Sequence, residues 1–254
     1  MRKEFPILEY DDCDFAKIEP TPTTDWRVAE HCVLTFFREV VEKYRDQPGT
    51  RLEGSSRWET GPVNVYTMDV HGTTVSFVHA WVGAPAVAGI MELVIAHGAR
   101  NIIACGGCGV LDKEIELGAV LIPTSAVRHE GTSYHYVPPG REVAIDADVV
   151  RAIGATLRRH GIAGTECKTW TTDGFYRETD KKIALRKAEG CMCVEMECSA
   201  AAAVAQFRNV KFGQLLYAGD NLDADKHDDR EWWNAMSDRE RLFQLSLEAC
   251  VTIG

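Results

Sequence analysis

The stretch Val194-Glu195-Met196-Glu197 stands before four consecutive alanines at 200–203, and a third carboxylate, Asp220, follows the apolar residues 212–218. The alanine run predicts a tightly packed helix, and the apolar residues predict a buried strand that ends near Asp220. Because ligands in α/β folds gather at the carboxyl ends of strands, these carboxylates are expected at a binding site. Such a set suits a polyhydroxylated substrate, with one carboxylate holding hydroxyls and another moving a proton.

Predicted strands and helices alternate along the chain, which is typical of an α/β fold with a largely buried sheet. The clearest signals are a hairpin over 62–80 that turns at His71-Gly72, and a helix from Pro85 to His97 that Gly98 ends. Residues 1–25 are predicted to be an irregular N-terminal segment of a single domain spanning 1–254, and residues 109–118 a loop. The other predicted strands are 101–105, 119–123, 167–171 and 211–218, and the other predicted helices are 26–44, 146–160, 178–188, 197–207 and 230–251.

Composition indicates a globular protein with an acidic surface. The 254 residues are 45% hydrophobic and 26% charged, and the net charge is −10. That charge argues against binding to nucleic acid, which depends on a positive surface. No run of about 18 apolar residues is present, so no membrane contact is expected, and the N-terminus lacks an apolar signal core. Nine cysteines fit reduced thiols and a cytoplasmic location better than a disulfide framework.

Five motifs in one order resemble those of the purine nucleoside phosphorylase/uridine phosphorylase superfamily. They are Val82-Gly83-Ala84-Pro85, the glycine-rich stretch 101–109, Gly131-Thr132-Ser133, Phe175-Tyr176, and Val194-Glu195-Met196-Glu197 with Asp220 after it. The resemblance covers roughly residues 63–220. It implies a single-domain three-layer sandwich in which helices flank a mixed, largely buried sheet. It also implies an enzyme that needs no cofactor, uses inorganic phosphate as co-substrate and forms a homo-oligomer, as a dimer, trimer or hexamer.

The resemblance makes Asp220 the candidate catalytic acid. From the residues alone, Asp220 is as readily a turn or helix-capping residue, because Asn221 follows it and an acidic stretch continues to Asp229. In the family, the matching aspartate donates a proton to the purine. A proton at N7 turns the base into a better leaving group when the glycosidic bond breaks.

Glu197 and Met196 match the family's sugar-binding residues. A glutamate at the start of a helix can simply complement the helix dipole. In the family, however, the matching glutamate holds the ribose hydroxyls and the matching methionine packs on the sugar. A carboxylate there also favours the positive charge that develops on the sugar in the transition state. Glu195 is a further substrate-binding candidate, and its direction depends on whether its segment is a strand or a helix.

Phe175 and Tyr176 are either core aromatics or, as in the family, residues that stack on the base. Residues 177–181 lack the Gln-x-Arg arrangement with which uridine phosphorylases bind uracil, and together with Asp220 this favours a purine. The stretch 131–133 instead resembles the uridine branch, so both bases stay open.

The phosphate side departs from the family's pattern. Relatives usually have an arginine just ahead of the glycines of this stretch and a hydroxyl residue among them. This chain has Ala104 and Gly107 at these two positions. The relatives' N-terminal Gly-Asp-Pro-x-Arg loop is missing as well. The phosphate-binding candidates are Arg57, which falls where a neighbouring subunit's arginine is expected, and the amide of Gly106. Gly107 and Gly109 could add their amides, and Gly107 is also expected beside the substrate.

Three functions follow from these residues. The preferred one is phosphorolysis of a nucleoside, with a purine favoured, to give free base and pentose 1-phosphate. The others are a hydrolytic nucleosidase, for which Glu19 is the nearest candidate base, and a nucleoside-binding protein without turnover. Cys105-Gly106-Gly107-Cys108 resembles a redox pair or half of a zinc site, but filling of small buried spaces is favoured and no metal is expected. His227 lies in a polar segment and is expected to be solvated.

Overall fold

A mixed ten-stranded sheet forms the centre of the computed structural model, which describes residues 2–20, 25–224 and 227–254. The strands are β1 (His31–Thr35), β2 (Arg51–Trp58), β3 (Gly61–Val70), β4 (Thr73–His79), β5 (Asn101–Val110), β6 (Val120–His129), β7 (Glu142–Ala144), β8 (Gly164–Thr172), β9 (Cys191–Glu195) and β10 (Lys211–Asn221). The helices are α1 (Arg38–Arg45), α2 (Ala84–Ala96), α3 (Ala147–Arg159), α4 (Asp180–Ala188), α5 (Cys198–Phe207) and α6 (Met236–Cys250).

Strand β5 joins the two parts of this sheet. It pairs in parallel with β1 and β10, and its last residues pair antiparallel with β9. Strands β10, β6, β8 and β9 lead back to β5 and close a barrel, whereas β1, β4, β3 and β2 extend the sheet outward. Helix α6 contacts α1 and α3, α2 packs on α5, and α4 contacts β9. The predicted α/β fold, with helices flanking a mixed and largely buried sheet, is therefore confirmed.

Several local predictions are confirmed because short-range chemistry decides them. The hairpin between β3 and β4 turns at His71 and Gly72, whose φ angles are 54° and 85°. Glycine adopts this left-handed conformation without strain. Asp146 caps α3 by accepting hydrogen bonds from the backbone N–H groups of Asp148, at 2.8 Å, and Val149, at 3.3 Å.

The predicted helix over 26–44 is wrong. Residues 31–35 form β1, and only Arg38–Arg45 is helical. The apolar residues Cys32 and Phe36 follow one another at helical spacing, but β1 lies between β4 and β5 and is buried on both faces. A strand buried on both faces reads as a continuous apolar run, so its spacing carries no strand signal.

Two other predictions need correction near the site. Strand β5 continues to Val110, beyond the predicted strand 101–105 and into the predicted loop 109–118. Residues 191–195, for which no element was predicted, form β9, and β2 and β7 were missed as well. Within the irregular N-terminal segment, the described residues 2–20 contain one short 3₁₀ turn, Pro6–Leu8, while residues 1 and 21–24 lie outside the described residues.

The packing of α3 on β10 gives a test of the fold. A Cβ at Gly213 of β10 would lie 2.4 Å from Cγ1 of Val149 and 3.2 Å from Cδ1 of Ile153. We expect Gly213→Ala to lower the free energy of unfolding by roughly 1–3 kcal/mol, as overpacking does. Gly154→Ala within α3 is the control, since its Cβ would meet only the flexible end of Arg158, at 3.3 Å. That change should raise stability by up to about 1 kcal/mol. Urea unfolding measures the free energy of unfolding of both variants. Equal losses of stability in the two would contradict the close packing of α3 on Gly213.

Candidate active site

A cavity of about 770 Å³ opens where β1, β5, β9 and β10 approach their ends. It brings together most of the residues that the sequence singled out, although they are spread over more than a hundred positions. The predicted site residues that line it are Gly107, Phe175, Tyr176, Glu195, Met196, Glu197 and Asp220. Arg57 and Gly106 do not line it.

Glu197 stands at the N-terminus of α5 with its side chain buried beside the cavity. Its Oε1 accepts a hydrogen bond of 2.6 Å from the backbone N–H of Gly83, and its Oε2 accepts one of 3.3 Å from Met196 N–H. Gly83 has a φ of 106°, a conformation that favours glycine and aims this N–H at the carboxylate. Each carboxylate oxygen has two lone pairs, so Glu197 keeps acceptor capacity for hydroxyl groups in the cavity.

Glu195 ends β9, so its segment is a strand. Its Oε1 accepts from the hydroxyls of Thr171, at 2.6 Å, and Thr169, at 3.3 Å. Its Oε2 accepts from the backbone N–H groups of Glu197, at 2.7 Å, and Cys198, at 2.5 Å. Both oxygens are therefore occupied by donors of the protein. Glu195 caps the first turn of α5 and ties it to β8, which fixes the position of Glu197.

Burying two carboxyls side by side changes their titration. Burial and, after it, the neighbouring Glu197 carboxylate raise the pKa of Glu195 to about 8, although the hydrogen-bond donors around it oppose the rise. Burial likewise raises the pKa of Glu197 to about 7, against the lowering effect of the Gly83 and Met196 N–H groups. The pair therefore retains a proton close to neutral pH.

Met196 and two aromatic residues form the apolar walls of the cavity. Phe175 and Tyr176 lie in a short 3₁₀ turn, with ring centroids 4.0 Å apart, and are 50% and 87% exposed. Their interpretation as core aromatics is wrong, because core residues would be covered. They stand at the mouth of the cavity, where a planar ligand can reach them.

Asp220 lies in β10, at the place where the register with β5 shifts between Ala218 and Asn221. Such a bulge re-aims a side chain out of the regular ladder. The space for Asp220 comes from Gly109, since a Cβ on that residue would lie 3.2 Å from Asp220 Oδ1. Asp220 caps no helix in the described ranges, and the capping interpretation is therefore wrong.

Two residues beside Asp220 were missed by the sequence argument. Asp220 Oδ2 lies 2.9 Å from Nε2 of His227, so His227 is not merely solvated as expected. Glu178 also lines the cavity, and burial, followed by the charge of Asp220, raises its pKa to about 7. No sequence signal marked them except their places directly after Phe175-Tyr176-Arg177 and in the acidic segment after Asp220.

The end of the cavity near β1 is aromatic. The ring of Phe36 lies on Gly106, so that a Cβ there would be 2.8 Å from Cδ2 of Phe36. Arg239 of α6 faces this end with its guanidinium 4.7 Å from the ring centroid of Phe37 and its Nε 3.0 Å from Oε1 of Glu39. Arg57 is exposed on β2, outside the cavity of its own chain.

Within the described parts of the chain, the cationic or titratable nitrogen groups that line the cavity are those of Arg239 and His227. Each has a carboxylate partner.

Over the described residues, no group of three or more His, Cys, Asp or Glu side chains is arranged to hold a metal ion. Cys105 and Cys108 are buried free thiols. No helix among the described residues is both long enough and apolar enough to span a membrane.

The titration of Glu197 predicts how stability changes with pH. Its pKa rises from 4.5 to about 7 on folding, so the folded protein holds this proton to a higher pH than the unfolded chain. Its contribution to the free energy of unfolding is full below about pH 4.5 and is lost as the pH rises to about 7. Glu197→Gln removes this pH-dependent loss of stability, because glutamine does not ionise.

We therefore expect Glu197→Gln to raise stability relative to the parent by roughly 1–3 kcal/mol more at about pH 8 than at about pH 5, in urea unfolding. Glu166→Gln, which changes an exposed residue of β8, is the control and should show no such difference. An identical effect of Glu197→Gln at both pH values would contradict the buried pair.

Similarity to known proteins agrees with this geometry. A guanosine phosphorylase of Halorubrum lacusprofundi is 24% identical over 188 residues, which cover 72% of this chain and 78% of that protein. A uridine phosphorylase structure from Vibrio fischeri ES114 superposes with a TM-score of 0.76 at 21% identity, covering 93% of this chain and 99% of that one. An AMP nucleosidase structure from Bacteroides thetaiotaomicron VPI-5482 superposes with a TM-score of 0.70 at 22% identity, covering 87% of each chain.

The solved structures share the fold with this chain, and the named activities belong to those proteins. The family model described as "Phosphorylase superfamily" matches residues 30–252, which include every strand and helix that borders the cavity. The chain belongs to the phosphorylase superfamily, which is the superfamily of purine nucleoside and uridine phosphorylases.

Proposed function

We propose that this protein cleaves the N-glycosidic bond of a purine nucleoside, with inorganic phosphate as the acceptor, to give free base and pentose 1-phosphate. One observation carries the proposal. A single cavity holds a carboxylate with free acceptor capacity, Glu197, and a second carboxylate, Asp220, that is paired with a histidine. The first group suits a sugar and the second suits a leaving base.

At the sugar end, Glu197 binds the ribose hydroxyls and Met196 packs on the apolar face of the ring. Hydrogen bonds from hydroxyls to a buried carboxylate are charge-assisted and therefore strong. Glu195 holds the first turn of α5, and Gly83 holds the Glu197 carboxylate from the other side. The negative charge at Glu197 stabilises the positive charge that grows on the sugar as the bond to the base lengthens.

At the base end, Phe175 and Tyr176 stack on the ring and Asp220 protonates it. A purine has a basic N7 that can take this proton, whereas uracil has none, so Asp220 favours purine nucleosides. Glu178 supports this assignment, because a carboxyl with a pKa near 7 beside Asp220 keeps a proton at this end of the cavity. The name of the guanosine phosphorylase relative points to a purine, and that of the uridine phosphorylase structure to a pyrimidine.

The proposal of phosphate as acceptor depends on the activities of the named relatives and on the formation of an oligomer. Arg57 lies outside the cavity of its own chain, so it can bind phosphate only in the cavity of a neighbouring subunit of a dimer, trimer or hexamer. The amides of Gly106 and Gly107 are the other candidates. Both residues lie within β5, opposite Leu216 and Tyr217 of β10, and Phe36 covers Gly106.

Hydrolysis is the second candidate, and one observation favours it. In the described part of a single chain, both nitrogen groups that line the cavity, those of Arg239 and His227, already have carboxylate partners. A dianionic acceptor is therefore poorly matched to this chain alone, whereas water needs no cation. The AMP nucleosidase with the same fold is in keeping with this alternative. Glu19, the base suggested for hydrolysis, lies 3.8 Å from Arg208 and does not line the cavity.

The acceptor and the base are tested together with a nucleoside panel. Inosine, guanosine, adenosine and uridine are incubated with the protein, with and without phosphate, and free base and sugar are measured by chromatography. We expect purine release that requires phosphate, with pentose 1-phosphate as the co-product. Release of free pentose without phosphate would replace phosphorolysis by hydrolysis. Tight binding without release would make the protein a nucleoside-binding protein and overturn the enzymatic proposal.

Glu197→Gln and Glu166→Gln serve as matched variants in this assay. The buried variant should weaken ribose recognition by roughly 1.5–3 kcal/mol, the loss of a charge-assisted hydrogen bond. The exposed variant should behave as the parent, because Glu166 is on the surface of β8. Equal activity of both variants would remove Glu197 from the sugar site.

Proton transfer to the base is tested with Asp220→Asn. An amide N–H can hydrogen-bond to N7 but is too weak an acid to transfer its proton, so cleavage of purine nucleosides should slow by about 10²–10⁴-fold. A 7-methylated purine nucleoside already carries positive charge on its base and should lose much less. Steady-state rates on both substrates are compared. Parallel losses would mean that Asp220 is structural, and an unchanged purine rate would exclude it as the acid.

A further inference from the structure

We propose that His227 relays protons between solvent and Asp220 during turnover. The inference rests on the proposed function, because it concerns the acid that protonates the leaving base. Three observations lead to it: the contact between the two side chains, the exposure of the histidine, and the second carboxyl, Glu178, on the same wall of the cavity.

His227 is placed between the acid and water. Its Nε2 lies 2.9 Å from Asp220 Oδ2, and its side chain is 60% exposed while that of Asp220 is 24% exposed. Both side chains line the cavity. A base bound against Asp220 would cover this carboxyl further, but the outer edge of the imidazole would stay in contact with solvent. An imidazole can accept a proton at one nitrogen and release one from the other, which is what a relay requires.

The reaction needs such a relay once in every cycle. When the C1′–N9 bond breaks, its electron pair moves onto the purine and the Asp220 proton goes to N7, leaving Asp220 as a carboxylate. The acceptor oxygen bonds to C1′, and the acceptor gives one proton to solvent, which balances the proton taken by the base. Neutral His227 then takes a proton from solvent at Nδ1 and donates its Nε2 proton to Asp220 Oδ2, which leaves the Nδ1–H tautomer. The exposed ring returns to the Nε2–H form by giving the Nδ1 proton to water and taking one from water at Nε2.

The charges around the pair keep a proton available near neutral pH. Glu178 faces Asp220, and burial together with the charge of Asp220 raises its pKa to about 7, whereas His227 and Lys182 of α4 lower it. Glu178 therefore holds a proton beside Asp220 and His227 close to neutral pH.

The competing explanation is that His227 only holds its own segment against β10. A residue with that role would affect all substrates alike and could not be replaced by a small molecule. Glutamine at 227 keeps a hydrogen-bond donor for Asp220 but cannot pass a proton on. His227→Gln therefore separates the relay from the structural role.

The experiment compares the parent with His227→Gln and His227→Asn on a purine nucleoside and on its 7-methylated analogue. The matched control is His160→Gln. His160 is also a surface histidine paired with a carboxylate, since its Nε2 lies 2.7 Å from Oε2 of Glu248, but it does not line the cavity. Thermal unfolding of each variant checks that the fold is kept.

We expect kcat of the His227 variants on the purine nucleoside to fall about 10–100-fold, less than the loss of the acid itself, because His227 acts through Asp220. The fall in kcat should exceed that in kcat/KM, because reprotonation follows base release, and it should deepen as the pH rises and protons become scarce. Added imidazole should restore much of the rate. The 7-methylated substrate and the His160→Gln control should be unaffected.

Rates that imidazole does not restore, or equal losses on both substrates, would show that His227 is structural. An unchanged kcat in the His227 variants would equally overturn the relay while leaving the proposed function intact. If the parent releases no base from any nucleoside, the proposed function fails and the relay fails with it. The two failures are therefore distinguishable by the parent's own activity.

Discussion

Strand β5 imposes the constraint on which the rest of the structure depends. It is hydrogen-bonded to β1, β9 and β10, so it belongs both to the barrel and to the outward extension of the sheet. Its neighbours approach so closely that Cβ atoms at Gly106 and Gly109 would collide with them and a Cβ atom at Gly107 would make a tight contact. They would lie 2.8 Å from Phe36 at Gly106, 3.1 Å from Tyr217 at Gly107 and 2.3 Å from Leu222 at Gly109. The glycines are thus needed for strand packing, and they also leave the floor of the cavity open.

The end of the cavity at Glu195 and Glu197 shows how the fold tolerates two buried carboxyls. An isolated buried carboxylate is strongly disfavoured, and a second one beside it adds repulsion. Here Glu195 receives four hydrogen bonds and Glu197 receives two, and the raised pKa values show that these donors do not fully offset burial. Glu197 receives fewer hydrogen bonds from the protein than Glu195, so it keeps acceptor capacity at the cavity. Acceptor capacity that the protein leaves free is what a substrate's hydroxyls can use.

The opposite end is more open and is held by titratable groups from separate segments. Asp220 comes from a bulge in β10, Glu178 from the end of a 3₁₀ turn, and His227 from the segment after β10. Two carboxyls and one imidazole in a partly exposed wall exchange protons with water more easily than the buried glutamate pair does. The cavity therefore combines a buried carboxyl pair at one end, which we propose for the sugar, with a more exposed group of titratable side chains at the other, which we propose for the base.

The sequence by itself determined the fold class, because strands and helices have local signals, and the family resemblance of its motifs marked seven of the residues that line the cavity. The alanine-rich helix, the hairpin at His71-Gly72 and the carboxylates after strands can each be recognised within a short window. Tertiary structure decided the rest. Cys32 and Phe36 are apolar and four positions apart, as in a helix, but a strand buried on both faces can carry apolar residues at any spacing. Strand β1 could therefore be found only from its neighbours β4 and β5. Likewise Glu178 and His227 come together at Asp220 from 42 positions before it and 7 positions after it, and the polar segments that carry them have no periodicity that fixes their direction. Local chemistry fixes the elements, but which side chains share a cavity depends on contacts between elements distant in the chain, and no single window of sequence contains these.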